Sequence, residues 1–107
     1  MKAGHLAFPL LLAVWGCGGS PIPQPTAADA SRGSVHFADL TLSELNQGRS
    51  LYVSRCGSCH VLKRPLELPP EQWQTEVTEM RQKNGVQLSD AEARAIIRYL
   101  TVAASEG

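Results

Sequence analysis

Three side chains that bind metals or form covalent bonds to cofactors stand within one pentapeptide. Cys56, Cys59 and His60 form a Cys-x-x-Cys-His pattern. On one helical turn, two thiols three residues apart lie on the same side, and the imidazole that follows can reach an iron held beside them. This spacing is the attachment pattern of c-type haem. The sequence therefore predicts one haem c, joined covalently through Cys56 and Cys59, with His60 as an iron ligand.

Other chemistries use the same residue types. A thioredoxin-like redox pair of Cys56 and Cys59 would need a βαβ scaffold, and the chain shows no convincing strand pattern. A structural zinc site needs four ligands, and only His36 is a plausible addition to the three motif residues. A disulfide between Cys56 and Cys59 would be strained by its short loop. Haem attachment is therefore the preferred interpretation.

The second axial ligand decides what an attached haem does. Met80 follows Trp73 and Val77 at helical spacing, so we expect it to face the interior. A thioether ligand raises the haem potential and suits an electron carrier. Two alternatives remain for the iron: bis-histidine ligation through His36, and an open position for a small gas. Met80 would then be ordinary core packing.

Two further residues are predicted to support the haem. We expect the carbonyl of Pro65 to accept the free ring N–H of His60, which would fix the orientation of the imidazole. Trp73 is expected to pack on the haem or to donate its indole N–H to a propionate, and a plain core tryptophan is the alternative. Candidate pocket walls are Leu62, Leu66, Leu68, Val77 and Leu88.

Three helices are predicted to position these residues. The first begins near Thr41, which with Glu44 forms a capping-box pattern, and it runs into Cys56. Gly48 in its interior indicates the close crossing of another helix. The second begins at residues 69–71 and stops at residues 84–85. The third begins at the capping box of residues 89–92, packs on the first helix, and frays over residues 103–107.

The N-terminal residues indicate export from the cytoplasm. Lys2 precedes an apolar run over residues 6–15 that is too short to span a bilayer. This pattern predicts a signal peptide over residues 1–16. Residues 18–34 are rich in proline and small residues and show no apolar periodicity. We therefore expect a flexible tether over residues 17–36, followed by one haem-binding domain over residues 37–107.

Cys17 ends the run Val14-Trp15-Gly16-Cys17, which resembles the lipobox of bacterial lipoproteins. In that motif the cysteine is lipidated and becomes the new N-terminus, although Trp15 departs from the preferred small or aliphatic residue. Gly18 replaces an aspartate that would retain the protein at the inner membrane, which weakly favours the outer membrane. We expect a lipid anchor at Cys17 and a position on the periplasmic face of a bacterial membrane. Ordinary cleavage nearby, giving a soluble periplasmic protein, is the alternative.

Charge and composition exclude several function classes. Ten basic and ten acidic residues cancel, so no basic excess favours nucleic-acid binding. No nucleophile or acid–base pair accompanies the cysteine motif in a recognisable pattern, so we expect neither enzymatic activity nor a small-molecule substrate. Five basic residues flank the motif and Met80, and they either steer an acidic redox partner or form an ordinary solvated surface. They are Arg55, Lys63, Arg64, Arg81 and Lys83.

Residues 41–100 resemble the class I, cytochrome c-like family of monohaem domains. The resemblance is carried by the spacing from Gly48 and Tyr52 to the cysteine motif, by Met80, and by the terminal helix with Tyr99. It implies an all-α fold of three main helices around one haem, with Met80 as distal ligand. It also implies one-electron transfer between extracytoplasmic redox proteins. The alternative function is a haem sensor with a displaceable sixth ligand. The chain departs from mitochondrial-type relatives by lacking a long loop after the attachment motif.

Overall fold

The computed structural model describes residues 22–57 and 61–105, and within these ranges the chain is helical and contains no strand. No helix in this part of the chain is both long and apolar enough to cross a bilayer. The predicted all-α, cytochrome c-like class is therefore confirmed. The helices are α1 (Ala27–Gly33), α2 (Leu42–Leu51), α3 (Trp73–Lys83) and α4 (Asp90–Ala104), with a π-helical turn at Tyr52–Cys56 and 3-10 turns at Pro65–Glu67 and Pro70–Gln72.

The crossing of α2 and α4 forms the centre of the core. Leu45 of α2 and Ile96 and Leu100 of α4 are fully buried there. A Cβ atom on Gly48 would collide with the carbonyl of Ala95 and lie 2.8 Å from the Cβ of Tyr99. Only glycine therefore allows the two helices to approach this closely, which confirms the crossing predicted from Gly48.

The start of α2 forms only half of the predicted capping box. The Thr41 hydroxyl accepts the backbone N–H of Glu44 at 3.1 Å. The Glu44 carboxylate does not return to Thr41, because it pairs with Arg98 at 2.9 Å and with Arg94 at 3.7 Å. These ion pairs join the first turn of α2 to α4. A tertiary contact has thus replaced a local one.

Helices α3 and α4 differ slightly from the predicted bounds. Pro70 forces the residue before it into extended backbone. The predicted first turn is therefore a separate 3-10 turn, and α3 begins at Trp73. Helix α4 has the predicted capping box of Ser89 and Glu92 but stays helical to Ala104. Its last turn does not fray, because Val102 packs closely against Gly33 of α1. A Cβ atom at position 33 would lie only 2.6 Å from the Val102 side chain.

Residues 22–33, predicted as part of a flexible tether over residues 17–36, are instead folded onto α2 and α4. Thr26 and Asp29 form a capping box that starts α1. Ile22 is 3% exposed, and its carbonyl accepts two hydrogen bonds from Arg49. The prediction failed because proline and alanine content describes only local preference, whereas this segment is held by distant partners. We call residues 22–33 the N-terminal strap.

Candidate haem site

The helical path of α2 continues to Cys56, the first cysteine of the motif. The π-helical turn Tyr52–Cys56 places Cys56 against the core, where it is 6% exposed, and the turn closes with Gly57 donating its N–H to the Val53 carbonyl at 3.2 Å. Cys59 and His60 lie outside the described residues. Their predicted roles, and that of Cys17 in the lipid anchor, therefore remain predictions.

An apolar cavity opens beside Cys56. About 390 Å³ in it is not filled by atoms, part of which is open to solvent. The cavity brings Cys56 together with Met80, which a long stretch of chain separates in sequence. Its lining consists of Tyr52, Cys56, Lys63, Trp73, Glu76, Val77, Met80 and Leu88.

Two aromatic side chains hold the segment that follows the attachment motif. The Tyr52 hydroxyl donates to the Lys63 carbonyl at 2.7 Å, and the Trp73 indole N–H donates to the Pro65 carbonyl at 3.0 Å. The two rings meet edge to face, with centroids 5.9 Å apart. The polar groups of both rings thus have partners, and the chain after the motif is tied to the π-helical turn and to α3.

These bonds bear on the roles predicted for Pro65 and Trp73. Trp73 is 1% exposed and lines the cavity, so it is placed to pack on a bound group. Its single N–H is used by Pro65, which leaves no second donor for a propionate. The Pro65 carbonyl keeps one more lone pair, which a second donor can use. The sequence did not predict the Trp73–Pro65 and Tyr52–Lys63 hydrogen bonds. Both acceptors are backbone carbonyls, which every residue has, so no residue type indicates them.

Charges at the cavity are paired. Lys63 and Glu76 both line it, and their side chains form an ion pair at 3.8 Å. Burial raises the pKa of Tyr52 above its ordinary value, and a negative charge on Cys56 would raise it further. The phenol is therefore neutral throughout the physiological range and acts as a donor.

Met80 lies near the end of α3, half-buried and on the cavity wall. Of the predicted pocket walls, Val77 and Leu88 line the cavity, while Leu66 is 64% exposed and Leu62 and Leu68 are only partly buried. His36 lies outside the cavity: it is exposed, with its ring 6.5 Å from that of Phe37. The structure thus places Met80, and not His36, on the same cavity as Cys56.

This site fits a haem group by its chemistry. A cysteine thiol supplies a covalent attachment point, a thioether supplies a soft iron ligand, and aromatic and aliphatic walls supply apolar contact. The residues that would hold the group are Cys56 and Met80 among those described, with Cys59 and His60 completing the motif in sequence.

Comparison with known proteins agrees with this chemistry. The family model described as dihaem cytochrome c matches residues 52–107, a range that contains the whole cysteine motif, Trp73 and Met80. No curated protein and no solved structure matches the chain. Since the family match covers more than half of the 107 residues, the chain belongs to the dihaem cytochrome c family and is a c-type cytochrome.

Proposed function

We propose that this protein is an extracytoplasmic one-electron carrier with a single haem c, attached through Cys56 and Cys59 and ligated by His60 and Met80. The observation that carries the proposal is that Cys56 and Met80 line one apolar cavity. When bound, the haem supplies an iron that changes reversibly between the ferrous and ferric states. The protein acts by ligation and by exclusion of water, without acid–base chemistry on a substrate.

The number of haems follows from the attachment motifs. The sequence contains one Cys-x-x-Cys-His pattern, and its third cysteine, Cys17, stands far from any histidine that could complete another. The family description names two haems. Covalent attachment of a second haem in this stretch of chain would lack both a thiol pair and its histidine. One haem is therefore the count that the residues support.

Each residue of the site has a role in this proposal. The thioether of Met80 is a weak donor that favours ferrous iron and so raises the potential. Trp73, Val77 and Leu88 exclude water, which also disfavours the more highly charged ferric state. Tyr52 holds the chain after the motif through the Lys63 carbonyl, three residues beyond His60, the proposed axial ligand.

The test is a spectrum of the protein matured in cells that attach c-type haem. We expect a mass increase of one haem and, in the oxidised protein, the weak far-red band of sulfur-to-iron ligation. Met80→Ala should abolish that band and lower the reduction potential, while His36→Ala should change neither. A protein without added haem would refute the proposal. If only His36→Ala changed the spectrum and the potential, the axial ligand would be His36 and not Met80.

The alternative of a haem sensor is distinguished by the same preparation. A carrier with both axial positions filled should bind carbon monoxide only slowly and incompletely when reduced. Met80→Ala, in which the sixth position is open, should bind it rapidly and serves as the positive control. Rapid stoichiometric binding by the unaltered protein would favour the sensor.

The proposed location is the periplasmic face of a bacterial membrane, with a lipid anchor at Cys17 and the outer membrane weakly favoured by Gly18. Only residues 18–21 separate Cys17 from the folded strap, so the anchor and the domain lie at most about 18 Å apart along the chain. The domain would meet its redox partners, which are proteins of the same compartment, close to the membrane surface. Detergent-phase partitioning that Cys17→Ser abolishes would support the anchor, and unchanged partitioning would refute it.

A further inference from the structure

The end of α3 folds back onto Met80. The backbone N–H groups of Asn84 and Val86 both donate to the Met80 carbonyl, at 3.2 and 3.1 Å. Gly85 between them has φ +70, a left-handed conformation that favours glycine. The Met80 carbonyl is therefore held by two hydrogen bonds, and this helix terminus determines the position of Asn84 relative to Met80.

The side chain of Asn84 also contacts Met80. Its amide nitrogen Nδ2 lies 3.1 Å from the thioether Sδ. A thioether sulfur accepts only weakly, so such a short contact from a neutral amide is a specific arrangement. The sulfur has two lone pairs, one of which can bind iron while the other accepts the amide N–H.

We propose that Asn84 is a positioning residue that holds the Met80 sulfur towards the cavity. This inference rests on the proposed function, in which Met80 ligates the iron. Methionine has three rotatable bonds, and the amide removes part of that freedom before the ligand bond forms.

One measurable consequence follows for Asn84→Leu, which removes the donor and keeps the approximate size. Added imidazole should displace Met80 from the ferric protein about 3- to 10-fold more easily, because the sulfur is no longer held in place, and this ratio corresponds to one net neutral hydrogen bond. A residue that only ended the helix would leave this ratio unchanged in a protein that stays folded.

The experiment compares the unaltered holoprotein with Asn84→Leu, Asn84→Ala and the control Gln82→Leu. Gln82 is an exposed amide on the same helix, so its replacement repeats the chemical change away from the sulfur. Imidazole titration is followed by loss of the far-red band, and folding is followed by thermal unfolding. We expect imidazole to displace Met80 more easily from both Asn84 variants, and Gln82→Leu to match the unaltered protein.

The outcomes separate the inference from its premise. If the unaltered protein has the far-red band but the Asn84 variants keep its imidazole affinity, Asn84 has no positioning role. If the variants hold Met80 more tightly, the amide competes with iron for the sulfur, and the inference is also overturned. If the band is absent from the unaltered protein, Met80 is not the ligand and the proposed ligation falls together with the inference.

Discussion

Buried tyrosine hydroxyls connect distant parts of this chain. Tyr52 donates to the Lys63 carbonyl beside the haem site, and Tyr99 donates to the Pro23 carbonyl of the N-terminal strap at 2.5 Å. Burial raises the pKa of Tyr99 to about 12. The folded protein therefore favours the neutral phenol, and its stability depends on that protonation at high pH.

The pH dependence has a defined direction and window. In the unfolded chain Tyr99 loses its proton near pH 10, whereas the folded chain keeps it until about pH 12. Below pH 10 the stabilisation is complete, and it is lost as the pH rises from 10 to 12, by an amount on the order of 2–3 kcal/mol. Tyr99→Phe should flatten this part of the unfolding curve and cost about 1 kcal/mol at neutral pH.

Urea unfolding at several pH values measures this effect. Tyr52→Phe is the matched control: it removes a second buried phenol with a raised pKa, so it should leave the contribution of Tyr99 in place. An alkaline slope in Tyr99→Phe equal to that of the unaltered protein would contradict the assignment.

At the scale of elements, close helix packing outweighs local propensity. Gly48 weakens α2 as an isolated helix by about 1 kcal/mol relative to alanine. Its missing side chain lets the backbone of α4 approach, with the Ala95 carbonyl and the Tyr99 Cβ at the contact. The same α2 continues into the turn that bears Cys56, so the crossing also fixes the position of Cys56, the proposed attachment residue.

Gly48→Ala should therefore destabilise the protein although alanine is the better helix former. We expect a loss of about 1–3 kcal/mol in the free energy of unfolding, because the helices must separate or shift. Ser50→Ala, at an exposed position of α2, should be neutral or slightly stabilising. If Gly48→Ala were stabilising by urea unfolding, the crossing would be looser than the structure indicates.

The N-terminal strap is an element in its own right. Arg32 donates to the Val102 carbonyl at 3.0 Å, and Ile22 is buried against the same core. Ile22→Ala should cost about 2–4 kcal/mol, whereas the same residue in a flexible tether would contribute nothing. Val35, which is 83% exposed, supplies the control: Val35→Ala should leave thermal unfolding unchanged. Equal unfolding temperatures for both variants would contradict this prediction and favour a flexible tether instead.

At the scale of the whole molecule, charge is balanced locally as well as in total. The five basic residues that flank the haem motif and Met80 all have acidic partners within 4 Å. The pairs are Arg55–Glu92, Lys63–Glu76, Arg64–Glu67, Arg81–Asp90 and Lys83–Glu79. This pairing favours an ordinary solvated surface over a basic ring that steers an acidic partner.

Electron transfer to a small anion should accordingly depend little on salt. For oxidation of the reduced protein by ferricyanide, we expect less than about a threefold change in rate as ionic strength rises from roughly 0.01 to 0.5 M. Glu76→Gln and Glu92→Gln together leave Lys63 and Arg55 without these acidic partners and should make the rate fall more steeply with salt. A steep fall in the unaltered protein, measured by stopped flow, would revive the steering hypothesis.

Local chemistry determined much of this protein before any packing was known. The spacing of Cys56, Cys59 and His60 points to haem attachment because it depends on one helical turn, and residues 52–107 match a c-type cytochrome family. The capping box of α4 and the stop at Gly85 were also predictable, since each depends on neighbouring residues. The half-buried position of Met80 on the cavity wall followed from its helical spacing with Trp73.

Tertiary structure decided the contacts between residues far apart in the chain. Residues 22–36 have the composition of a tether, yet Arg49 and Tyr99 hold the strap through hydrogen bonds to carbonyls that any residue could provide. The Glu44 carboxylate pairs with Arg98 and does not cap α2, because the crossing of α2 and α4 brings that cation close. The approach of Met80 to Cys56 and the amide contact from Asn84 likewise depend on where α3 ends in space. Backbone carbonyls and long-range proximity leave no residue pattern, which is why sequence alone could not reveal them.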